Sequence, residues 1–452
     1  MLDAKVRDYL IESLDILRSV EMPLVLDVSV GYRDQDDRTS FFYTVEEKPE
    51  YWRAVVAQRS ALLGLKSLGE LLNGMRRSCP TGRELEFLAG TSGESEIELK
   101  ARLQSRFLDL FLVDYLARST DLEFDARAFS DVYSQFEEYI FHFETVRTSW
   151  LVRFQSLRLE ESSVELESGV RLRAATTDEA SVALKPFIQK TIDQMPFLLR
   201  RNDPSIFTLP DLPRTFLEIE DVARYDSALE RPTLLGYQLL TTLRMMHDCR
   251  VCADSIWYRS SNVFGPILPS RVPLMSCTGQ SSFGVDFILR QEDSDRLGQI
   301  WADLSVLPTN NQLDLALRRL NDAALRSEAE DRLIDFWIAL EALFLKGTKA
   351  ELNFRASLYI AMYVGGSLNE RREILKMMKH SYSLRSKVAH GEKLNDGDEI
   401  DTVVLETGEV LRRILQKCVA QKRPPDVDLI TEKLLEYSEN GAGISVVVLD
   451  PH

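Results

Sequence analysis

Residues 328–346 read EAEDRLIDFWIALEALFLK and predict a long, strongly apolar α-helix. Apolar positions recur at helical spacing and form one stripe, which consists of Leu333, Phe336, Trp337, Leu340 and Leu343. Gly347 follows the last apolar residues and is typical of a helix end. A helix with such a stripe must be covered by neighbours, so this stretch predicts a helical domain around it.

The sequence on both sides of this helix is also helical in pattern. Four further helices are predicted, at 311–326, 351–364, about 398–421 and about 427–438. The pair Gly365–Gly366 stops the second of these, and Pro424–Pro425 separates the last two. Short connections between long helices favour a bundle.

Between the second and third of these helices lies a segment with its own start and stop residues. Ser367 and Glu370 form a capping box that opens a helix, which we expect to end near His380. The short segment SLRSKVAH follows and stops at Gly391. Ser381 and Ser383 are good N-cap residues, which favours a break in the chain just before Arg385.

The first 290 residues mix helical and strand patterns. The apolar runs 24–30 (LVLDVSV) and 41–45 (FFYTV) flank a polar turn and predict a hairpin. Alternating segments at 151–173 and the run FLEIE at 216–220 predict further strands, whereas 50–77 and 95–118 are helical in pattern.

These patterns together predict an α+β chain. We expect a mixed α/β region over 1–290, which could hold two subdomains, and an all-helical domain over 291–440. A tail over 441–452 contains ISVVVLD, which could add a strand.

Composition and charge exclude several classes of protein. The chain has 452 residues and a net charge of −16, opposite in sign to a protein that coats nucleic acid nonspecifically. Five scattered cysteines are typical of a reducing compartment. The sequence shows neither a signal peptide nor a membrane-spanning run, so we expect a cytoplasmic protein that does not enter a membrane.

The segment SYSLRSKVAHGEKL (381–394) carries the residues with the clearest chemistry. Arg385 and His390 are separated by four residues near the end of the predicted bundle. Together with IALEALF (338–344) and the helix FRASLYIAMYVG, this R-x4-H pattern resembles the Apea-like branch of HEPN domains. The resemblance covers roughly residues 311–422, and the N-terminal two thirds of the chain lie outside it.

The resemblance implies a metal-independent endoribonuclease without a cofactor, of the kind used as toxins or in abortive infection against phage. It also implies a homodimer in which two R-x4-H segments meet. The residues suit the reaction, in which a ribose 2′-OH attacks the adjacent phosphodiester. Histidine, with an unperturbed pKa of about 6.5, suits proton transfer, and the arginine fork suits phosphate binding. Arg385 and His390 are therefore the predicted catalytic residues.

The spacing of the two residues has a geometric consequence. On a regular helix, five positions turn about 140° and rise about 7.5 Å. Arg385 and His390 would then point to different sides. Either the segment is not a regular helix, or two chains contribute to one site.

Four residues are predicted to support this pair. Glu341 is, with Asp335, one of the two charges within 333–345 and must pair with a cation if it is buried, with Arg355 or Arg385 as candidates. It could orient Arg385, or it could form a purely structural ion pair. Ser386 stands where ribonuclease-type HEPN domains often have Asn, Asp or His, so the catalytic competence of the site is open. Tyr382 lies beside the motif.

A local basic segment is predicted to bind RNA. Residues 371–393 contain seven basic and two acidic residues on an otherwise acidic chain. Lys379, Lys387 and Lys393 are the cations nearest the motif. The same pattern also fits an ordinary solvated helix face.

Other functions compete with the ribonuclease hypothesis. A HEPN domain can also be a non-catalytic module that binds RNA or nucleotides or mediates dimerisation. A nucleotidyltransferase partner that modifies Tyr382 would silence the domain. Cys249 and Cys252 form a single C-x-x-C, too few ligands for a structural zinc site, and buried small residues are the simpler interpretation. The sequence lacks the phosphate-binding and nucleophile-elbow motifs of P-loop, Rossmann and α/β-hydrolase enzymes.

Overall fold

The structure is a computed structural model that describes most, but not all, of the chain. The described residues are 2–20, 24–35, 38–49, 51–78, 96–119, 121–141, 147–176, 179, 215–222, 230–260, 268–270, 287–345, 352–392 and 400–439. The C-terminal segment ISVVVLD and Lys393 lie outside these ranges, so the expectations for them are untested.

The chain divides into two units that are each discontinuous in sequence. The first consists of 1–236 and 253–276, and the second of 237–252 and 277–452. The sequence predicted a boundary near 290, whereas this division falls first within the helix Glu230–Met246.

The first unit begins with a helical layer. Its helices are α1 (Leu2–Arg18), α2 (Tyr51–Ala57), α3 (Arg59–Leu63), α4 (Lys66–Ser78), α5 (Glu96–Arg106), α6 (Val113–Arg118) and α7 (Ala126–Phe141). A π-helical turn, Phe107–Leu112, joins α5 to α6. Their apolar faces share one core, in which Phe107, Phe111 and Phe136 stack edge to face.

Two antiparallel sheets complete the first unit. The hairpin pairs β1 (Leu24–Gln35) with β2 (Arg38–Pro49). The larger sheet has the order β5-β6-β7-β3-β8-β9. Its strands are β3 (Arg147–Gln155), β5 (Ser163–Glu167), β6 (Val170–Ala174), β7 (Thr215–Val222), β8 (Cys252–Ser260) and β9 (Leu268–Ser270). The short strand β4 (Leu157–Leu159) is not part of this sheet.

The second unit is helical. Helix α8 (Glu230–Met246) leads into it, the short strand β10 (Phe287–Leu289) follows, and the described part of the unit then contains seven further α-helices. These are α9 (Ser294–Ser305), α10 (Asn311–Ala324), α11 (Ala329–Phe344), α12 (Leu352–Val364), α13 (Leu368–Ala389), α14 (Ile400–Gln421) and α15 (Val427–Glu439).

Helix α11 occupies the middle of this unit because it is apolar on most of its surface. It packs against α10, α12, α13 and α14. Leu333, Trp337 and Leu340 are fully buried. Asp335 is also buried, and it accepts hydrogen bonds from Arg319 and Arg326 at 2.9 Å each, so its charge is neutralised within the bundle.

Most sequence-based assignments are confirmed. The α+β class, the strand at 216–220 and the helices at 311–326, 328–346, 351–364, 398–421 and 427–438 are all present, each element within two or three residues of its predicted bounds. The hairpin is also present, but its strands are longer than predicted and leave a shorter turn. Thr176 and Glu179 form a capping box, with hydrogen bonds in both directions.

One helix assignment is wrong. The helix that opens at Ser367 does not end near His380, because α13 continues without a break to Ala389. No glycine or proline interrupts 368–389, and Ser381 points into the bundle instead of capping a new helix.

Candidate active site

The predicted catalytic residues lie at the C-terminal end of α13. Arg385 lies in the last two turns, and His390 is the C-cap residue that follows Ala389. Gly391 adopts a φ of +70°, a left-handed conformation that favours glycine, and the N–H of Glu392 donates to the Lys387 carbonyl at 3.0 Å. The sequence AHG therefore ends the helix and leaves the imidazole at its tip.

A buried chain of hydroxyls fixes the inner face of this part of α13. The indole N–H of Trp337 donates to Ser381 Oγ at 2.9 Å, and Ser381 Oγ lies 2.7 Å from Thr407 Oγ1. Thr407 in turn donates to the Val403 carbonyl at 2.6 Å. Because these groups satisfy one another away from water, they set the rotation and height of α13 against α11 and α14.

Arg385 points toward α11 and meets one carboxylate. Its Nη2 lies 3.3 Å from each oxygen of Glu341, and the two side chains are 24% and 26% exposed. The guanidinium also lies 5.6 Å from the centre of the Tyr382 ring. Its Nε is buried and has no hydrogen-bond partner among the described residues. Arg385 therefore combines one unsatisfied, buried N–H with a partly exposed ion pair.

The two titratable side chains next to Arg385, Glu341 and Tyr382, both have raised pKa values. Burial raises the pKa of Glu341, and the positive charge of Arg385 opposes that rise only in part. Burial, followed by the charge of Glu341, raises the pKa of Tyr382, whose ring stands edge to face on Trp337 at 4.9 Å. The Tyr382 hydroxyl therefore stays protonated at neutral pH and can donate a hydrogen bond.

Glu341 gives a pH-dependent prediction. Since its pKa is raised in the folded chain, protonation of this carboxyl stabilises the fold. That contribution is complete below the unfolded pKa of about 4.3 and is lost as the pH rises through the folded pKa. We expect the wild type to lose stability relative to Glu341→Gln as the pH rises above the unfolded pKa, measured by urea unfolding at each pH.

The glutamine variant is a matched comparison for this experiment. Glutamine keeps the shape of Glu341 and still accepts a hydrogen bond from Arg385, but it does not titrate. All other titratable groups are common to both proteins and cancel in the difference. A wild type that gained stability over the variant as the pH rose would show that the ion pair outweighs burial.

His390 does not meet Arg385 within one chain. Its side chain is exposed, and it forms no hydrogen bond or ion pair with any described residue. Because α13 is regular up to Ala389, the two residues lie about 140° apart around the helix. The prediction of an irregular segment before Arg385 is therefore wrong, and within one chain Arg385 and His390 face different directions.

Of the residues predicted to support the motif, Glu341 contacts Arg385, whereas Arg355 contacts a different residue. Glu341 pairs with Arg385 and not with Arg355, which is exposed on α12 and donates to the Tyr359 hydroxyl at 3.3 Å. Ser386 is partly exposed on α13, and its carbonyl accepts the His390 backbone N–H.

The predicted RNA-binding lysines are only partly free of other contacts. Lys379 is exposed and lies 5.7 Å from the centre of the Phe354 ring, and Lys387 is partly exposed near the helix end. Arg371 serves the fold, because its Nε donates to the Gly365 carbonyl at 2.9 Å. The basic segment is therefore a mixture of structural and exposed cations.

Sequence reasoning missed the hydroxyl chain that positions the motif. Ser381 falls on the buried face of α13 together with Ile374, Met378 and Leu384, at spacings of three or four residues. That periodicity, extended through a polar residue, indicates a continuous helix with a buried serine.

The two cysteines of the C-x-x-C are not bonded to each other. Cys249 is a free, buried thiol whose pKa is raised to about 11 by burial, so it stays protonated. Cys252 is disulfide-bonded, and its partner is neither Cys249 nor Cys418. The sparse cysteine count favoured a reducing compartment without disulfides, and the disulfide at Cys252 does not agree with that expectation. Within the described ranges, no group of three or more His, Cys, Asp or Glu residues could hold a metal ion.

Comparisons with known proteins add no neighbour from which function could be transferred. No protein-family model matches the chain, and no curated protein or solved structure is significantly similar to it.

Among the described helices, none has the length and apolar character needed to cross a bilayer.

Proposed function

We propose that the chain is a metal-independent endoribonuclease of the HEPN type. The observation that carries the proposal is the placement of Arg385, whose partly exposed guanidinium lies 3.3 Å from one carboxylate among the described residues, that of Glu341. An exposed histidine, His390, ends the same helix. A phosphate clamp and a proton-transfer group on one rigid element are the parts that RNA transesterification needs.

The reaction divides the work between the two residue types. A base removes the proton of a ribose 2′-OH, and the 2′-oxygen forms a new bond to the adjacent phosphorus. The bond between phosphorus and the 5′-oxygen breaks, and an acid protonates that leaving oxygen. The arginine neutralises the charge that develops on the phosphate oxygens. The products carry a 2′,3′-cyclic phosphate, or its hydrolysed form, and a free 5′-OH.

A homodimer would complete the site. One chain offers one histidine at the motif, whereas the reaction uses a base and an acid. A two-fold axis near the tips of two α13 helices would bring two imidazoles and two guanidinium groups together. This arrangement also accounts for a helix on which Arg385 and His390 face different directions.

The proposed biological role is that of an antiviral or toxin-like effector acting on RNA in the cytoplasm. An unrestrained ribonuclease would damage its own cell, so we assign the restraint, and the response to a phage-derived or other trigger, to the N-terminal region 1–290.

A second candidate function is a non-catalytic HEPN module that binds RNA or nucleotides or mediates dimerisation. Two observations favour it: the charge of Arg385 is already balanced by Glu341, and His390 does not contact Arg385. The two candidate functions are distinguished by the fate of RNA: a ribonuclease cleaves it, whereas a binding module leaves it intact.

Substitution of Arg385 tests the proposed phosphate clamp. Arg385→Ala should reduce RNA cleavage in the presence of EDTA by about 10²–10³-fold, the usual cost of removing a preorganised donor. Arg385→Lys keeps the charge but loses the planar fork, so its rate should fall between those of the wild type and the alanine variant. The measurement is the initial rate of cleavage of a labelled single-stranded RNA.

Arg318→Ala provides the matched control for this experiment. Arg318 is an exposed arginine on α10, outside the basic segment 371–393, so its removal changes the net charge equally. Its cleavage rate should stay within about twofold of wild type if RNA is held at the motif. Equal losses in both alanine variants would indicate general electrostatic attraction and not a clamp.

A further inference from the structure

A second concave site lies elsewhere in the helical unit, where the Pro424–Pro425 turn joins α14 to α15. The C-terminal end of α14, the start of α15 and the last turn of α12 enclose an open cavity of about 190 Å³. None of the residues discussed for the candidate active site lines it. It therefore calls for a separate explanation.

The polar lining of this cavity is predominantly cationic. Lys417 comes from α14, Arg423 from the turn and Lys433 from α15. Asp426 is the one carboxylate among the lining residues, and its Oδ1 accepts the backbone N–H of Leu429 at 3.0 Å as the cap of α15. The excess of positive charge remains although the whole chain carries a net charge of −16.

Two of these cations are available for a ligand. Arg423 and Lys433 are exposed, and neither forms an ion pair or a side-chain hydrogen bond with any described residue. Lys417 is held in place, since its Nζ donates to the Tyr363 carbonyl at 2.7 Å and lies 4.3 Å from the centre of the Tyr363 ring. The cavity thus combines one fixed cation with two that can adjust.

The remaining lining consists of Gln421 and of apolar and aromatic side chains. Met362, Pro424, Leu429 and Ile430 contribute carbon surface, and Leu429 is 41% exposed although it faces this concave site. Burial raises the pKa of Tyr363, so its hydroxyl stays protonated. A ligand that contacts all parts of this lining needs an anionic end and a compact apolar body.

We propose that this cavity binds a small phosphate monoester with an apolar or aromatic body. A phosphate monoester carries a charge of about −1.5 to −2 at neutral pH. It therefore balances the three cations of the cavity better than a ligand with a single carboxylate would. The guanidinium of Arg423 can bind two phosphate oxygens at once, and the lysines add point charges. Leu429 and Ile430 then cover the organic part.

The test is binding of phenyl phosphate to the full-length protein by isothermal titration calorimetry. We expect one saturable site per chain and weaker binding of inorganic phosphate, which leaves the apolar surface uncovered. Arg423→Gln and Lys433→Gln should each weaken phenyl phosphate binding by about tenfold or more, since each removes a charge-assisted hydrogen bond. Leu429→Ala should weaken phenyl phosphate binding but leave the binding of inorganic phosphate unchanged.

Lys422→Gln is the matched control. Lys422 is exposed next to Arg423 but does not line the cavity, so its removal changes the net charge without removing a ligand contact. Its affinity for phenyl phosphate should equal that of the wild type. The proposal is overturned if the wild type shows no saturable binding, if Lys422→Gln weakens binding as much as Arg423→Gln, or if Arg423→Gln leaves binding unchanged.

Discussion

Replacement of His390 by alanine should reduce RNA cleavage by about 10²–10⁴-fold, the usual contribution of a positioned acid or base. The imidazole lies at the exposed end of α13 and makes no hydrogen bond or ion pair with a described residue. Its removal should therefore leave the fold intact and affect only proton transfer. The rate should be measured under single-turnover conditions with EDTA present, so that product release and metal ions do not contribute.

His380→Ala is the control for this substitution. His380 is another exposed histidine on the same helix, ten residues before His390. We expect it to cleave RNA at close to the wild-type rate. Loss of activity in both variants, or in neither, would remove His390 from the mechanism.

The largest effect on stability is expected at Trp337. Its side chain is fully buried, donates to Ser381 Oγ and supports the Tyr382 ring edge to face. Trp337→Ala should lower the free energy of unfolding of the helical unit by about 3–5 kcal/mol, because it leaves a cavity among α11, α13 and α14. Urea unfolding followed by far-ultraviolet circular dichroism measures this change.

Two further variants separate packing from hydrogen bonding at this position. Trp337→Phe keeps an aromatic ring but loses the donor, so it should cost less than Trp337→Ala. Leu405→Ala removes an apolar side chain that is 50% exposed on α14, and it should change the free energy of unfolding by no more than about 0.5 kcal/mol. A loss below about 1 kcal/mol in Trp337→Ala would show that the indole is not part of the core.

The bundle was predictable from sequence because its helices are long, strongly periodic and bounded by clear stop residues. The stripe of residues 333–343, Gly365–Gly366 and Pro424–Pro425 each led to the observed boundaries within a few residues. The error at α13 has a specific cause. Ser381 was interpreted as a cap from its residue type, whereas its buried partners Trp337 and Thr407 are 44 and 26 residues away. The hydrogen bonds that Ser381 makes with distant residues outweigh its local preference for a helix N-cap.

The candidate site was predictable only in part, for a related reason. The sequence identified Arg385, His390 and Glu341, but it left open whether Glu341 meets Arg355 or Arg385. That choice depends on which face of α11 lies against α13, which the hydroxyl chain decides. The cavity near Arg423 was not predicted, because its lining comes from three helices whose spacing in sequence carries no shared pattern.

The central proposal is most directly tested by incubating the purified protein with single-stranded RNA in EDTA and analysing the ends of the products. The account predicts fragments with a 2′,3′-cyclic phosphate or its hydrolysed form and a 5′-OH, produced by the wild type and not by the His390→Ala variant. RNA that stays intact with the wild type, or fragments produced equally by both proteins, would contradict it.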